Sequence, residues 1–177
     1  MVLNESLCES FMREALRSDR CRQLLEPIPL WRRARILCRS CQPELNARAY
    51  FDATTRDVTL CYNYLSTKES LEEALCHELV HSYDVVARRP RADFRICGDL
   101  ACSEIRAAFW GECRAQTDPD GKRTCVRRVA SSATENLFPE IGARVVEVMF
   151  DACYNDQTPW QSPPSPPPPP SSINTQH

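Results

Sequence analysis

Leu75-Cys76-His77-Glu78-Leu79-Val80-His81-Ser82-Tyr83-Asp84 sets two histidines four residues apart, with a glutamate directly after the first. At 3.6 residues per turn, that spacing brings His77 and His81 to one face of a helix, one above the other. Two imidazole nitrogens so placed can share one Zn²⁺. Glu78, about 100° round the helix, reaches a metal-bound water rather than the metal itself. The chain holds three histidines, and the third, His177, is its last residue. The stretch reads as the H-E-x-x-H of a zinc metallopeptidase.

The surroundings predict a helix independently of that motif. Ser66-Thr67-Lys68-Glu69 offers a capping start, and Glu69, Glu72 and Glu73 suit the positive end of the helix dipole. Leu71, Ala74, Leu75, Leu79 and Val85 form the buried stripe, and Arg88-Arg89-Pro90-Arg91 supplies cations and a stop. Upstream, residues 48–63 alternate around Thr54-Thr55-Arg56-Asp57 and read as a half-buried hairpin. Such a hairpin either offers an edge strand to an extended substrate or simply covers the core. Residues 4–26 read as helical, and 30–38 as a short amphipathic piece around Trp31 and Ile36. Downstream, helices are predicted over 101–116, near 125–132 and over 139–154, with Asp118-Pro119-Asp120-Gly121 as a turn. The expected fold is α+β, a zincin-like single domain, mainly helical, with a small antiparallel sheet packed on the motif helix. Its expected divisions are a helical N-terminal segment (1–34), the peptidase domain (35–156) and a disordered proline-rich tail (157–177).

A catalytic zinc takes three protein ligands and keeps one position for water. With no other interior histidine, the third ligand must be a carboxylate. Glu104, on the following helix, is the choice. Asp84 is the rival, although one turn past His81 it is better placed to orient an imidazole N–H. Glu112 is the weaker rival. The expected site is therefore His77, His81 and Glu104 around one Zn²⁺, with Glu78 as general base. Arg106 reads more readily as a structural ion-pair partner than as an oxyanion clamp.

A net charge of −2 on 177 residues provides no field for nucleic acid, and none is expected as a partner. No run approaches the roughly 18 apolar residues that cross a bilayer. Residues 1–20 contain Glu5, Glu9, Glu14 and Asp19, so they read as neither a secretory signal nor an acid-poor transit peptide. Eleven cysteines imply disulfides in an oxidising compartment or extra metal in a reducing one. Cys38-Arg39-Ser40-Cys41 lacks the second pair that a zinc knuckle needs, and reads as structural disulfides. Cys8 and Cys21 either staple a helix-loop-helix or stay as small buried apolar residues. Cystines without a secretory signal point to the mitochondrial intermembrane space.

Several stretches together resemble one family. They are Cys38-x-x-Cys41, Tyr50-Phe51-Asp52, Leu60-Cys61-Tyr62-Asn63, the motif block, the A-C-S-E-I-R-A of 101–107 and Gly111-Glu112-Cys113. Cys125-Val126-Arg127-Arg128 and Asp151-Ala152-Cys153 extend the likeness over about residues 35–155. The family is that of mitochondrial inner-membrane metalloproteases that process a proton-channel subunit of ATP synthase and assist its assembly. The resemblance implies a zinc endopeptidase of the intermembrane space, peripheral to the inner membrane, with an ATP synthase membrane subunit precursor as substrate. A non-proteolytic assembly chaperone that retains the metal scaffold is the alternative. The implied compartment favours up to five disulfides, with Cys76 as the spare cysteine, and Arg88, Arg89, Arg91 and Arg95 as candidates for anionic headgroups.

Overall fold

The computed structural model describes residues 2–161, and its longest element is the motif helix. In chain order the elements are α1 (Glu5–Ala15), α2 (Asp19–Leu25), β1 (Ile36–Arg39), β2 (Ala49–Phe51), β3 (Val58–Cys61), α3 (Lys68–Val86), α4 (Cys97–Trp110), α5 (Pro119–Glu135) and α6 (Gly142–Asn155). Thr67 caps α3 reciprocally with Ser70: its hydroxyl accepts the Ser70 N–H at 3.0 Å, and the Ser70 hydroxyl accepts the Thr67 N–H at 3.1 Å. From Leu71 to Val86 the helix is buried almost all round, because the sheet, α1 and α2 lie against part of it and α4 against another.

The sheet order is β1-β3-β2. The hairpin forms as expected, with Ala49 opposite Leu60 and Phe51 opposite Val58. The sheet is mixed, however, not antiparallel. Ile36–Arg39 is a strand parallel to β3, where the sequence suggested only an amphipathic piece. Further boundaries differ: α4 ends at Trp110 where 116 was expected, and α6 starts at Gly142 where 139 was expected. Asp118-Pro119 is not a turn but the start of α5, because the Asp118 carboxylate accepts the Gly121 N–H and proline suits the first helical position. α4 begins at Cys97, four residues before the predicted start.

One hydrophobic core lies between the sheet, α1, α2 and α3, with Leu24, Val58, Leu60, Leu75 and Leu79 fully buried. A second lies among α4, α5 and α6, around Ile105, Val126, Val146 and Phe150. α4 serves both, through Ala107 on one side and Ala108 on the other. Each half carries two disulfides. Cys8–Cys38 ties α1 to β1, and Cys41–Cys61 ties the β1 exit to β3. Cys102–Cys153 ties α4 to α6, and Cys113–Cys125 ties the α4 exit to α5. Loops of 12 to 51 residues closed in this way are worth about 3–4 kcal/mol each by chain entropy. Cys8 is thus not paired with Cys21, and the disulfides number four, within the expected limit of five but with three spare cysteines instead of one. Cys21, Cys76 and Cys97 remain thiols. Burial pushes the Cys76 thiol up to about 12, so it is inert at neutral pH.

Of the proline-rich stretch, residues 162–177 lie outside the described residues. Residues 157–161 pack on the domain, with Trp160 against Trp110 at a ring separation of 4.1 Å.

Candidate metal centre

α3 and α4 meet side by side, and Gly111 at the end of α4 is what lets them close. A Cβ there would stand 2.9 Å from the Ala107 carbonyl oxygen and 3.1 Å from the His77 Cβ. The contact brings Glu104 over the two histidines. His77 Nε2 lies 3.4 Å from one Glu104 oxygen, and His81 Nε2 lies 3.5 Å from the other. One ligand atom from each of the three residues falls within 4.8 Å of the others, and all three residues are buried.

These separations are too long for hydrogen bonds of ordinary strength. Glu104 Oε2 accordingly has no hydrogen-bond partner although it is buried. A buried, unpartnered carboxylate oxygen facing two imidazole nitrogens carries an uncompensated desolvation cost. Four-coordinate zinc with bonds of about 2.0–2.1 Å sets ligand-to-ligand edges of roughly 3.3 Å, close to the distances found. The cluster fits a metal ion.

The far nitrogens are fixed by partners that the sequence reading did not assign to this task. His77 Nδ1 is 2.9 Å from a Glu112 oxygen, and His81 Nδ1 is 2.8 Å from the Ser103 hydroxyl. Each contact turns the ring so that Nε2 faces Glu104. Glu112 is therefore an orienting group, on the opposite side of the His77 ring from Glu104. Asp84 is not in the cluster. It accepts from Arg106 Nε at 3.2 Å, and Arg106 also pairs with Asp156 at 2.8 Å and donates to the Thr158 carbonyl oxygen at 2.5 Å. Arg106 is structural, as its ion-pair reading implied.

The two histidines differ electrically. Burial works against the charged form of His77, but Glu112 and Glu104 outweigh it and hold its pKa well above the usual value. His81 has no carboxylate on Nδ1, and burial brings it down to about 4. Burial opposes the charge on Glu112 too, yet His77 and Arg48 hold that carboxyl at about 2. Glu78 lies beside the cluster in the wall of a cavity of about 330 Å³ that His77 and Glu112 also line. Burial, with Glu104 and Glu112 near, pushes the Glu78 carboxyl up to about 7 against the pull of His77. A carboxylate poised there can accept and return a proton near neutral pH.

The sequence profile of the Peptidase M76 family matches residues 1–161. This chain belongs to that family. The match takes in α1 and α2, which lie outside the 35–155 stretch that carries the motif resemblance. A human protein named mitochondrial inner membrane protease ATP23 homolog is 31% identical over 136 residues, covering 70% of this chain and 54% of its own length. A protein of Lodderomyces elongisporus named mitochondrial inner membrane protease ATP23 is 33% identical over 151 residues, covering 77% of this chain and 59% of its own. The Xenopus laevis homolog is 32% identical over 136 residues. The chain thus spans a little over half the length of the curated relatives it matches. No solved structure matches it. No described helix is long and apolar enough to cross a membrane.

Proposed function

We propose that the protein is a zincin-like, zinc-dependent metalloendopeptidase in which His77, His81 and Glu104 hold one ion and Glu78 is the general base. The observation that carries this reading is the pair of oriented Nε2 atoms facing a buried carboxylate that lacks a hydrogen bond, in the wall of a cleft that also holds Glu78. Zinc, when bound, would lower the pKa of water towards ~7 and polarise the scissile carbonyl. Glu78 takes the proton of the attacking water and passes it to the leaving amine, a transfer suited to its raised pKa. Glu112 and Ser103 keep the imidazoles aimed throughout.

β2 borders the cleft as a sheet edge. Asp52 N–H donates to the Asp57 carbonyl oxygen and Cys61 N–H to that of Arg48, so by alternation the Tyr50 backbone faces β3. The backbone groups of Ala49 and Phe51 then face away from β3: the Phe51 N–H is turned to the Glu78 carboxylate, and those of Ala49 are where an extended polypeptide can pair.

The motif resemblance and the names of the relatives support the mitochondrial inner membrane as the place of action. An ATP synthase membrane subunit precursor is the substrate that the resemblance implies, with help in its assembly as an accompanying role. Four disulfides support the oxidising intermembrane space. Peripheral membrane contact would fall to Arg89 and Arg91, exposed and with no carboxylate partner among the described residues, with Arg91 near Arg32, which follows the exposed Leu30 and Trp31 in the chain. Arg88 and Arg95 do not serve, being paired with Asp156 and Asp93.

The test is metal content and peptide cleavage by the full chain and by Glu78→Gln. One zinc per chain in both, with cleavage reduced about 10²- to 10⁴-fold in the variant, is expected. Undiminished cleavage by Glu78→Gln, or absence of bound zinc from the active chain, defeats the assignment.

A further inference from the structure

One wall of the cleft has chemistry that the proposed reaction leaves unused. α5 carries Arg123, Arg127 and Arg128 within two turns. Arg123 and Arg127 turn to α6, where they meet Asp151 and Glu147. Arg127 also lies over the Phe150 ring at 3.8 Å. Arg128, about 100° further round the helix, lines the cavity that holds His77 and Glu78. It is exposed and has no carboxylate partner among the described residues. The other arginine of that cavity, Arg48, is already matched by Glu112 at 3.4 Å and Glu73 at 3.8 Å.

Ser132 and Asn136 line the same cavity, four and eight residues after Arg128. α5 therefore presents a row of polar groups about 6 Å apart, opposite the cleft lining contributed by Ala47–Ala49 at the β2 edge. Alternate side chains of an extended polypeptide are about 6.7 Å apart. A chain laid along the β2 edge would turn every second side chain to this row, and the first group it offers is a guanidinium without a counter-ion. Guanidinium binds carboxylate through two parallel hydrogen bonds, which fixes position as well as charge.

We infer that Arg128 is a specificity-determining residue that binds a carboxylate side chain of the polypeptide in the cleft, so that segments with an acidic residue close to the scissile bond are the preferred substrates. The inference rests on the peptidase reading above.

Its test uses the zinc-loaded full chain carrying Glu78→Gln and pairs of fluorescent peptides that differ only by Glu or Gln at one position. Anisotropy should show one position at which Glu binds roughly tenfold tighter or better than Gln. Adding Arg128→Gln should erase that difference, and adding Arg128→Glu should move the preference to Lys. With Glu78 intact, Arg128→Gln should lower kcat/KM for the acidic peptide and leave the neutral one near its original value. Equal binding of Glu and Gln peptides at every position overturns the inference. So does an equal loss of kcat on all peptides in Arg128→Gln, which would make Arg128 a transition-state group. If no peptide is cleaved while the Arg128-dependent preference in binding persists, the peptidase reading fails and the recognition role stands. Thermal unfolding of the Arg128 variants at the parent temperature checks that these exposed substitutions leave the fold alone.

Discussion

Helices α3 and α4 bury two polar clusters between them, His77–His81–Glu104 and, one turn further along α3, Asp84–Arg106. Both draw charged groups out of water, yet they resolve the cost in opposite ways. The Arg106 guanidinium spends its donors on Asp84, the Asp156 carboxylate and backbone, and the Thr158 carbonyl oxygen, and it is fully buried. In that cluster a side chain of the protein itself supplies the cation, although the buried Asp84 Oδ1 has no hydrogen bond. The histidine cluster leaves a carboxylate oxygen unpartnered and holds its nitrogens just beyond hydrogen-bond reach of it. It is complete only with something of charge at its centre. A buried ion network and an ion-binding site are thus told apart by whether a side chain already supplies the cation, not by an unpartnered carboxylate oxygen, which both clusters have.

The contrast can be broken most forcefully at Glu104. Glu104→Ala should remove bound metal to background and cleavage with it, read by elemental analysis after gel filtration. Arg106→Met should do the reverse. It should cost about 3–5 kcal/mol of stability in denaturant unfolding, by leaving Asp84 buried without its partner. One ion per folded chain should remain. If Arg106→Met also abolished metal binding at temperatures where the fold persists, the two clusters would be one unit.

A finer probe is Glu112→Gln, which keeps the shape but removes the charge that orients His77. A 10- to 100-fold loss of metal affinity by competition titration is expected. The smallest effect is a proton count. In the metal-free protein at pH 7, His77 is held protonated by Glu112 and Glu104, while His81, brought down to about 4, is neutral. Metal uptake by Glu78→Gln should therefore expel about one proton rather than two, measurable by calorimetry in buffers of different ionisation enthalpy. The same asymmetry has a sign in stability. The His77 pKa is raised on folding, so its contribution is fully present below the unfolded value of about 6.5. It is lost as pH rises through the raised folded value. Metal-free protein should weaken over that range, and metal-loaded protein should not.

Much of this was legible in the chain. The 3.6-residue period and the scarcity of histidine single out α3, and the two elements that flank it follow from the hairpin alternation and the next helical stripe. The sequence favours Glu104 over Asp84, but how α4 lays Glu104 over the two rings depends on a small residue at Gly111, which no local rule ties to His77. β1 was missed because its partner β3 lies 22 residues downstream and pairs in parallel, a contact that leaves no mark in Ile36-Leu37-Cys38-Arg39. The cysteine partners are equally non-local. Ser103 as the neighbour of His81 leaves no signal beyond its place beside Glu104, and Glu112, the weaker rival for third ligand in the sequence, lies on Nδ1 of His77.

The Arg106 clamp also orders events in time. Its acceptors come from α3, from Asp156 and from Thr158, so the guanidinium in the middle of α4 cannot be satisfied until about fifty further residues have arrived. A chain that ends before residue 156 lacks two of the three residues that meet this guanidinium. The α3–α4 pair is thus fastened by residues that lie beyond both helices in the chain.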